Sequence, residues 1–222
     1  EGKEIRVCYG LDPEWEKYYE QLKDKYGDLL KRLRGPNTLI ALVGASAIGK
    51  TFWSDELIKH FGSGLKRVKS TTTRQPREPK DHNSYNFVGV EEFQKGIEQN
   101  LFLEWDQYLN NYYGSSWTDV KSTLKESCGI FAITPEGAKA FYNCRMEMNL
   151  KFILMVPESE EVLRNNYARR GIKDAAKEEE LLSKVPHFDL PPEIPHELVV
   201  ISGNAEKDRE KLLKIVQPLI VK

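Results

Sequence analysis

The chain has 222 residues, and its 33 lysines and arginines nearly balance 34 aspartates and glutamates, so the net charge is -1. This balance excludes a strongly basic surface for nucleic acid, and no apolar run is long enough for a membrane span. A chain of this length is expected to form one main domain. The cysteines Cys8, Cys128 and Cys144 are odd in number and widely spaced, which argues against disulfides or a zinc site and favours a cytoplasmic protein.

Residues 1–36 are predicted to form an N-terminal extension. Asp12-Pro13 is typical of a helix start, and Gly35-Pro36 is typical of a stop. Between them, aromatic and leucine side chains recur at three- and four-residue steps, which predicts an amphipathic helix over residues 12–34. Its apolar face either packs on its own domain or docks a protein partner.

A glycine-rich segment follows the first apolar run. Residues 39–43 predict a buried strand, residues 52–58 predict a helix, and the sequence between them matches G-x-x-x-x-G-K-T. This order is typical of a phosphate-binding loop, in which backbone N–H groups and the helix N-terminus face an anion. Lys50 is then expected to reach the outer phosphates and Thr51 to bind Mg²⁺. The predicted loop is Gly44, Ala45, Ser46, Ala47, Ile48, Gly49, Lys50 and Thr51.

Strand and helix patterns alternate through the rest of the chain. Residues 70–85 contain Pro76 and Pro79 and are predicted to be a loop, as is the proline-rich stretch 186–195. The alternation predicts an α/β fold with a central parallel sheet flanked by helices. Further strands are expected at residues 66–69, 86–88, 101–105, 129–133, 151–156 and 198–201. Helices are expected at residues 90–98, 117–126, 159–170 and 206–216. One more helix is expected to begin at residue 135, and another to follow Gly171 and end near residue 185.

Four motifs in residues 70–115 resemble the guanylate kinases. In order they are S-x-T-T-R-x-P-R from Ser70, Y-N-F from Tyr85, F-L-E-W up to Trp105, and N-Y-Y-G-S from Asn111. The resemblance covers about residues 38–216 and is most specific in this part of the chain.

The resemblance implies a P-loop nucleoside monophosphate kinase fold over residues 37–222. A small mixed β subdomain for GMP is expected over about residues 70–116, and a helical lid over about residues 157–185. In that family the first motif and its tyrosine bind the phosphate of GMP, while the E-W glutamate and the Y-G-S segment hold guanine.

The residue chemistry agrees with these roles. Arg74 and Arg77 lie on one predicted loop, so two guanidinium groups could clamp a dianionic phosphate. An ionised Glu104 offers two acceptors to the adjacent N–H donors of guanine, whereas adenine presents one donor and one acceptor there. The expected substrate-binding residues are Ser70, Arg74, Arg77, Tyr85, Glu104, Tyr113, Ser115 and Thr134.

Departures from the family pattern concern catalysis more than binding. Guanylate kinases carry a D-x-D pair at the end of the strand aligned with residues 130–134, one aspartate for the water shell of Mg²⁺ and one for the guanine amino group. Ala132 and Thr134 stand there instead, so a relaxed preference towards IMP is expected. The loop after Arg77 is one residue shorter than in the family, and either Glu78 or Asp81 is expected to replace its missing glutamate.

The predicted lid is also altered. Arg170 matches a family arginine, but Asn166 stands four positions earlier and residues 175–184 contain no arginine. Arg164 and Arg169 are candidates to compensate, which makes Lys50, Arg164, Arg169 and Arg170 the expected catalytic set. Phosphoryl transfer depends on positioning and charge stabilisation, so each lost cation is expected to reduce the rate by orders of magnitude.

The favoured function is transfer of phosphate from ATP to GMP or dGMP, with Mg²⁺, and with neither nucleic acid nor membrane as a partner. A non-enzymatic binding module of the kind found in scaffold proteins is a competing function, although such modules usually lose the phosphate loop. A nucleotide-sensing pseudokinase and a kinase for another purine monophosphate are also compatible with the sequence.

Overall fold

The computed structural model describes most of the chain after the N-terminal extension. The helix predicted at residues 12–34, with its two possible roles, lies outside the described part. No helix of the described part is long and apolar enough to cross a membrane. The described residues are 37–77, 79–108, 110–143, 148–172, 174–183, 185 and 189–220.

Five parallel strands form the central sheet, in the order β2-β7-β1-β8-β9. All seven residues of the middle strand, β1, are buried. Its residues alternate between two apolar cores, with Leu39 on one face and Ile40 on the other. A strand covered on both faces is expected to be apolar, and residues 39–43 of β1 form the apolar run from which the sequence predicted a buried strand. The strands are β1 (Thr38–Gly44), β2 (Leu65–Arg67), β7 (Cys128–Ile133), β8 (Asn149–Pro157) and β9 (His196–Ile201).

Helices cover both faces of this sheet, which confirms the predicted α/β architecture. The core around Leu39 includes residues of α3 and α4. The core around Ile40 includes residues of α1, α5, α6 and α7. The helices are α1 (Lys50–Phe61), α2 (Val90–Glu98), α3 (Trp117–Glu126), α4 (Pro135–Asn143), α5 (Glu160–Arg169), α6 (Ala175–Ser183) and α7 (Ala205–Ile220).

A second, mixed sheet has the strand order β4-β3-β6-β5. Strand β3 pairs parallel with β4 and antiparallel with β6, which in turn pairs antiparallel with β5. The α2 side chain Phe93 stacks on Phe102 with ring centroids 4.4 Å apart. We call this second sheet the acceptor sheet, because it lies in the part of the chain predicted to bind the phosphate acceptor. Its strands are β3 (Ser70–Thr72), β4 (Tyr85–Phe87), β5 (Phe102–Tyr108) and β6 (Asn111–Ser116).

The prediction of a continuous loop over residues 70–85 was wrong for Ser70–Thr72, which forms β3. This strand lies between two others, so its backbone groups find partners on both sides. The Thr72 hydroxyl also donates to the Tyr112 carbonyl at 2.8 Å. Pro76 follows the strand, and Pro79–Asn83 forms a short 3₁₀ helix, so the prolines never interrupt the hydrogen bonds of β3.

The last strand and helix are joined by a turn built around a buried acid. The carboxylate of Asp208 is 1% exposed. It accepts from Ser202 N at 2.9 Å, Ser202 Oγ at 2.9 Å and Gly203 N at 3.0 Å. These bonds fix the turn between β9 and α7.

Candidate active site

The predicted phosphate loop leaves β1 at a position that only glycine fits. Gly44 has φ +148°, and a Cβ there would lie 2.4 Å from the Met155 carbonyl oxygen. Ala47 and Gly49 have φ +65° and +105°. Left-handed turns of this kind let a short loop direct successive backbone N–H groups toward an anion. The loop geometry therefore fits the phosphate-binding role.

Lys50 bends back over this loop. Its Nζ donates to Gly44 O at 2.5 Å and to Ala45 O at 2.8 Å. Burial, followed by the positive charge of Arg170, lowers the pKa of Lys50 to about 7. A polyphosphate bound here would stabilise the positive charges of Lys50 and Arg170.

Two hydrogen bonds connect the C-terminal end of helix α5 to the phosphate loop. Asn166 Nδ2 donates to Ala47 O at 2.9 Å, and the buried Tyr167 hydroxyl donates to Ser46 O at 3.5 Å. Gly171, with φ +76°, ends the helix by donating to Ala168 O at 2.9 Å. Asn166, which stands in place of an expected lid arginine, thus helps to hold the loop.

The predicted lid arginines have different surroundings. Arg170 is close enough to Lys50 for its charge to lower the lysine pKa. Arg164 donates to Glu178 at 2.7 Å and to Glu179 at 2.8 Å, which links α5 to α6. Arg169 and Arg170 are both exposed. The structure therefore places Arg170 near enough to Lys50 for their charges to interact, and it surrounds Arg164 with carboxylates.

A small cleft of about 10 Å³ lies where the phosphate loop faces the acceptor sheet. Thr51 lines it from the loop side, and Ser70 and Tyr85 line it from the acceptor side. Ala132 also lines it, so its methyl group takes the place of a possible metal ligand. Within the described residues, no cluster of three or more His, Cys, Asp or Glu side chains could hold a metal ion.

Arg67, predicted from the sequence only as part of a basic strand, also lines this cleft. Its side chain is 10% exposed and pairs with Asp55 of α1 at 2.5 Å. Arg67 lies at the cleft because it ends β2 and faces α1, the helix that follows the phosphate loop.

The acceptor sheet brings the predicted phosphate-binding residues together. The Arg74 guanidinium lies 4.6 Å from the Tyr85 ring centroid. The Tyr85 and Tyr113 rings are 6.4 Å apart, and Ser70 is the strand partner of Tyr85. Burial raises the pKa of the Tyr113 hydroxyl although Arg74 opposes it, so this hydroxyl stays a hydrogen-bond donor at neutral pH.

Asp81 occupies the centre of this basic group. Its Oδ2 accepts from Arg74 Nη1 at 2.8 Å and from Arg77 N at 2.9 Å. Burial disfavours its charge, but the hydrogen bonds and charges of the arginines outweigh burial and hold the pKa of Asp81 below its ordinary value. Of the two acids proposed to replace the family glutamate, Asp81 contacts the arginines, and Glu78 lies outside the described residues.

Glu104 and Ser115, both predicted to bind the base, lie side by side in the structure. They are opposite each other on β5 and β6, and the Ser115 hydroxyl donates to Glu104 Oε1 at 2.7 Å. Glu104 is 6% exposed and Ser115 is fully buried. Burial raises the pKa of Glu104 to about 7; the bond from Ser115 works against this rise and the charge of Asp106 adds to it.

Thr134 caps the start of α4 and also contacts β5. Its Oγ1 accepts from Gly137 N at 3.0 Å and donates to Asp106 Oδ2 at 3.1 Å. Asp106 was absent from the predicted site. Its position two residues after Glu104, on the same face of a strand, was the signal that could have identified it.

Comparison with known proteins agrees with this geometry. The guanylate kinase family model matches residues 36–218. A guanylate kinase of Helicobacter pylori (strain ATCC 700392 / 26695) is 31% identical over 187 residues, which cover 82% of this chain and 87% of that protein. A guanylate kinase of Wolinella succinogenes is 30% identical over 195 residues, 85% of this chain and 87% of that protein.

A solved structure extends the comparison to the fold. The crystal structure of guanylate kinase from Anaplasma phagocytophilum superposes with a TM-score of 0.57 at 22% sequence identity. The match covers 86% of this chain and 90% of the other. It supports the arrangement of a parallel sheet with flanking helices.

Proposed function

Because this chain belongs to the guanylate kinase family, we propose that its site transfers the γ-phosphate of ATP to GMP or dGMP. The chain is a nucleoside monophosphate kinase, a transferase. The observation that carries the proposal is the shared cleft, since Thr51 from the donor loop and Ser70 and Tyr85 from the acceptor sheet line the same space.

On the donor side, the loop from Gly44 to Thr51 holds the triphosphate of ATP. Lys50 exchanges its two carbonyl partners for outer phosphate oxygens, which restores its positive charge. The Thr51 hydroxyl is the ligand that the loop offers to Mg²⁺, an ion that commonly keeps several waters and binds phosphate oxygens. When bound, Mg²⁺ neutralises charge on the outer phosphates.

On the acceptor side, Arg74, Arg77, Tyr85, Tyr113 and Ser70 bind the phosphate of the monophosphate. Glu104 and Ser115 hold the guanine. No strong general base is required, because the attacking group is already a phosphate oxygen.

Transfer takes place between the two phosphate sites. Arg170, next to Lys50, supplies the lid cation for charge on the transferred group. The lid and both substrates exclude water from the cleft. The short link between α5 and the phosphate loop keeps this arginine near its target.

The direct test is Lys50→Ala in a coupled ADP-release assay with GMP. Removal of a cation that stabilises charge in the transition state is expected to lower kcat by about 10²–10³-fold. Lys59→Ala is the matched control, because Lys59 is an exposed lysine on the same helix. Unchanged turnover in Lys50→Ala would contradict the proposed mechanism.

A nucleotide sensor with little turnover is the second candidate, and Ala132 is the observation that favours it, because it offers no metal ligand in the cleft. Calorimetry with ATP and GMP separately, followed by turnover, separates the functions. A kinase binds both and turns over, a sensor binds both without turnover, and a protein-interaction module binds neither.

A further inference from the structure

The proposed base site needs one more acceptor than Glu104 supplies. Guanine presents three hydrogens along one edge, one on N1 and two on its amino group. The two oxygens of Glu104 can accept the N1 hydrogen and one amino hydrogen. Since buried donors are costly to leave unpaired, the second amino hydrogen requires another acceptor beside Glu104.

Asp106 lies beside Glu104 on the same face of the acceptor sheet. The two residues are separated by one position on β5, and their strand partners on β6 are Tyr113 and Ser115. The charge of Asp106 also contributes to the raised pKa of Glu104, which shows that the carboxylates are near each other. Both predicted substrate-binding residues of β6 are therefore paired with an acid on β5.

A second segment of the chain fixes the position of this carboxylate. Thr134 donates to Asp106 Oδ2 at 3.1 Å while accepting from Gly137 N at 3.0 Å. A Cβ at Gly137 would lie 3.2 Å from Glu104 Oε2, so the start of α4 approaches both acids closely. Helix α4 thus closes one side of the base site and holds Asp106 in place through Thr134.

We propose that Asp106 is a specificity-determining residue that accepts the second amino hydrogen of guanine, with Thr134 as the residue that positions its carboxylate. This inference rests on the assignment of Glu104 to guanine in the proposed function. It replaces the expectation of a relaxed preference towards IMP. Hypoxanthine, the base of IMP, has no amino group, so Glu104 would keep only the N1 hydrogen and Asp106 would receive no hydrogen bond from the base.

The test measures the dissociation constants of GMP and IMP by calorimetry and, in parallel, kcat/KM for each. Loss of one hydrogen bond to a charged group corresponds to about a 10- to 100-fold change. Asp106→Ala is expected to reduce the preference for GMP over IMP by this factor, mainly through weaker GMP binding. Thr134→Val is expected to reduce it less, and the exposed neighbour Gln107→Ala is the control that leaves it unchanged.

The comparison of two ligands separates recognition from a merely structural role. A structural Asp106 would weaken GMP and IMP equally, and an unchanged GMP to IMP ratio in a folded Asp106→Ala protein overturns the inference. If that variant does not fold, Thr134→Val decides: a reduced ratio supports the inference and an unchanged ratio overturns it. Wild-type protein that binds GMP selectively but does not turn over contradicts only the proposed transfer, because the calorimetric test still applies.

Discussion

Glu104 is the residue whose ionisation most directly connects this site to pH. Its pKa is raised to about 7, with burial as the largest cause. In the proposed base site, protonation removes one of the two acceptors that Glu104 offers to guanine. We therefore expect the dissociation constant of GMP to increase by about tenfold for each pH unit below the pKa.

Calorimetric titration of GMP between pH 6 and 8 measures this dependence. The phosphate of GMP also titrates near pH 6, so wild type alone would mix two effects. Glu104→Gln shares the phosphate titration but lacks the carboxyl group, and it is expected to show weaker binding with a shallower pH profile. Identical profiles for the two proteins would rule out Glu104 as the titrating group.

The same shift has a consequence for stability without ligand. The pKa of Glu104 is higher in the folded protein, about 7, than its ordinary value of 4.5. Its contribution to stability is therefore fully present below pH 4.5 and is lost as pH rises through 7. Glu104→Gln should gain stability relative to wild type as pH rises from 5 to 8, by at most about 3 kcal/mol, as followed by chemical denaturation.

At the scale of elements, Arg164 in α5 and Arg170 just after it have different surroundings, although the sequence grouped them together as catalytic candidates. Arg170 follows the end of the helix, near Lys50, whereas Arg164 connects the helix to α6 through Glu178 and Glu179. An arginine held by several carboxylates is poorly placed to meet a phosphate. We therefore expect Arg164 to orient the lid helices and Arg170 to contact the transferred group.

Turnover at saturating ATP and GMP distinguishes these roles. Arg170→Ala is expected to lower kcat by about 10²–10³-fold, as expected for a direct charge contact. Arg164→Ala should lower kcat by less than about tenfold, because its guanidinium is paired with carboxylates of α6 and does not meet the transferred group. Lys177→Ala, which breaks another exposed pair on α6, is the control. Equal losses in the two arginine variants would contradict the division of roles.

The elements that the sequence predicted well are those with a strong internal pattern. Helices at Val90–Glu98 and Trp117–Glu126 have the predicted bounds, and the apolar run before Gly44 forms the middle strand. Strands β3 and β6 are short and polar, and their pairing with each other and with neighbouring strands defines them. Such pairing joins segments about 40 residues apart, so a local pattern does not reveal it.

The site shows the same limit. Motif residues such as Arg74, Glu104 and Tyr113 could be proposed as site residues from the sequence, because their order in the chain carries the signal. Asp106 enters through a contact with Thr134, 28 residues away in sequence. Arg67 enters because β2 ends beside the phosphate loop. These contacts depend on how separate elements pack, which the spacing of residues along the chain does not show.

At the scale of the whole molecule, the last strand and helix complete the core that lies behind the phosphate loop. Val199 of β9 and Leu212 of α7 are buried in the same core as Ile48 and Trp53. The turn between β9 and α7 depends on the buried Asp208, whose carboxylate accepts bonds from Ser202 and Gly203. This turn stabilises the fold, although Asp208, Ser202 and Gly203 do not line the cleft.

Asp208→Ala is therefore expected to separate stability from activity. Loss of a buried carboxylate with several bonds leaves backbone N–H groups unpaired, and the free energy of unfolding should fall by about 2–4 kcal/mol in a urea titration. The exposed Glu206→Ala on the same helix should change it by less than about 0.5 kcal/mol. Because the affected bonds lie outside the substrate sites, KM for ATP and GMP should stay at wild-type values in the folded variant. An increase in either KM at unchanged stability would show that the turn acts on the site and does not serve the fold alone.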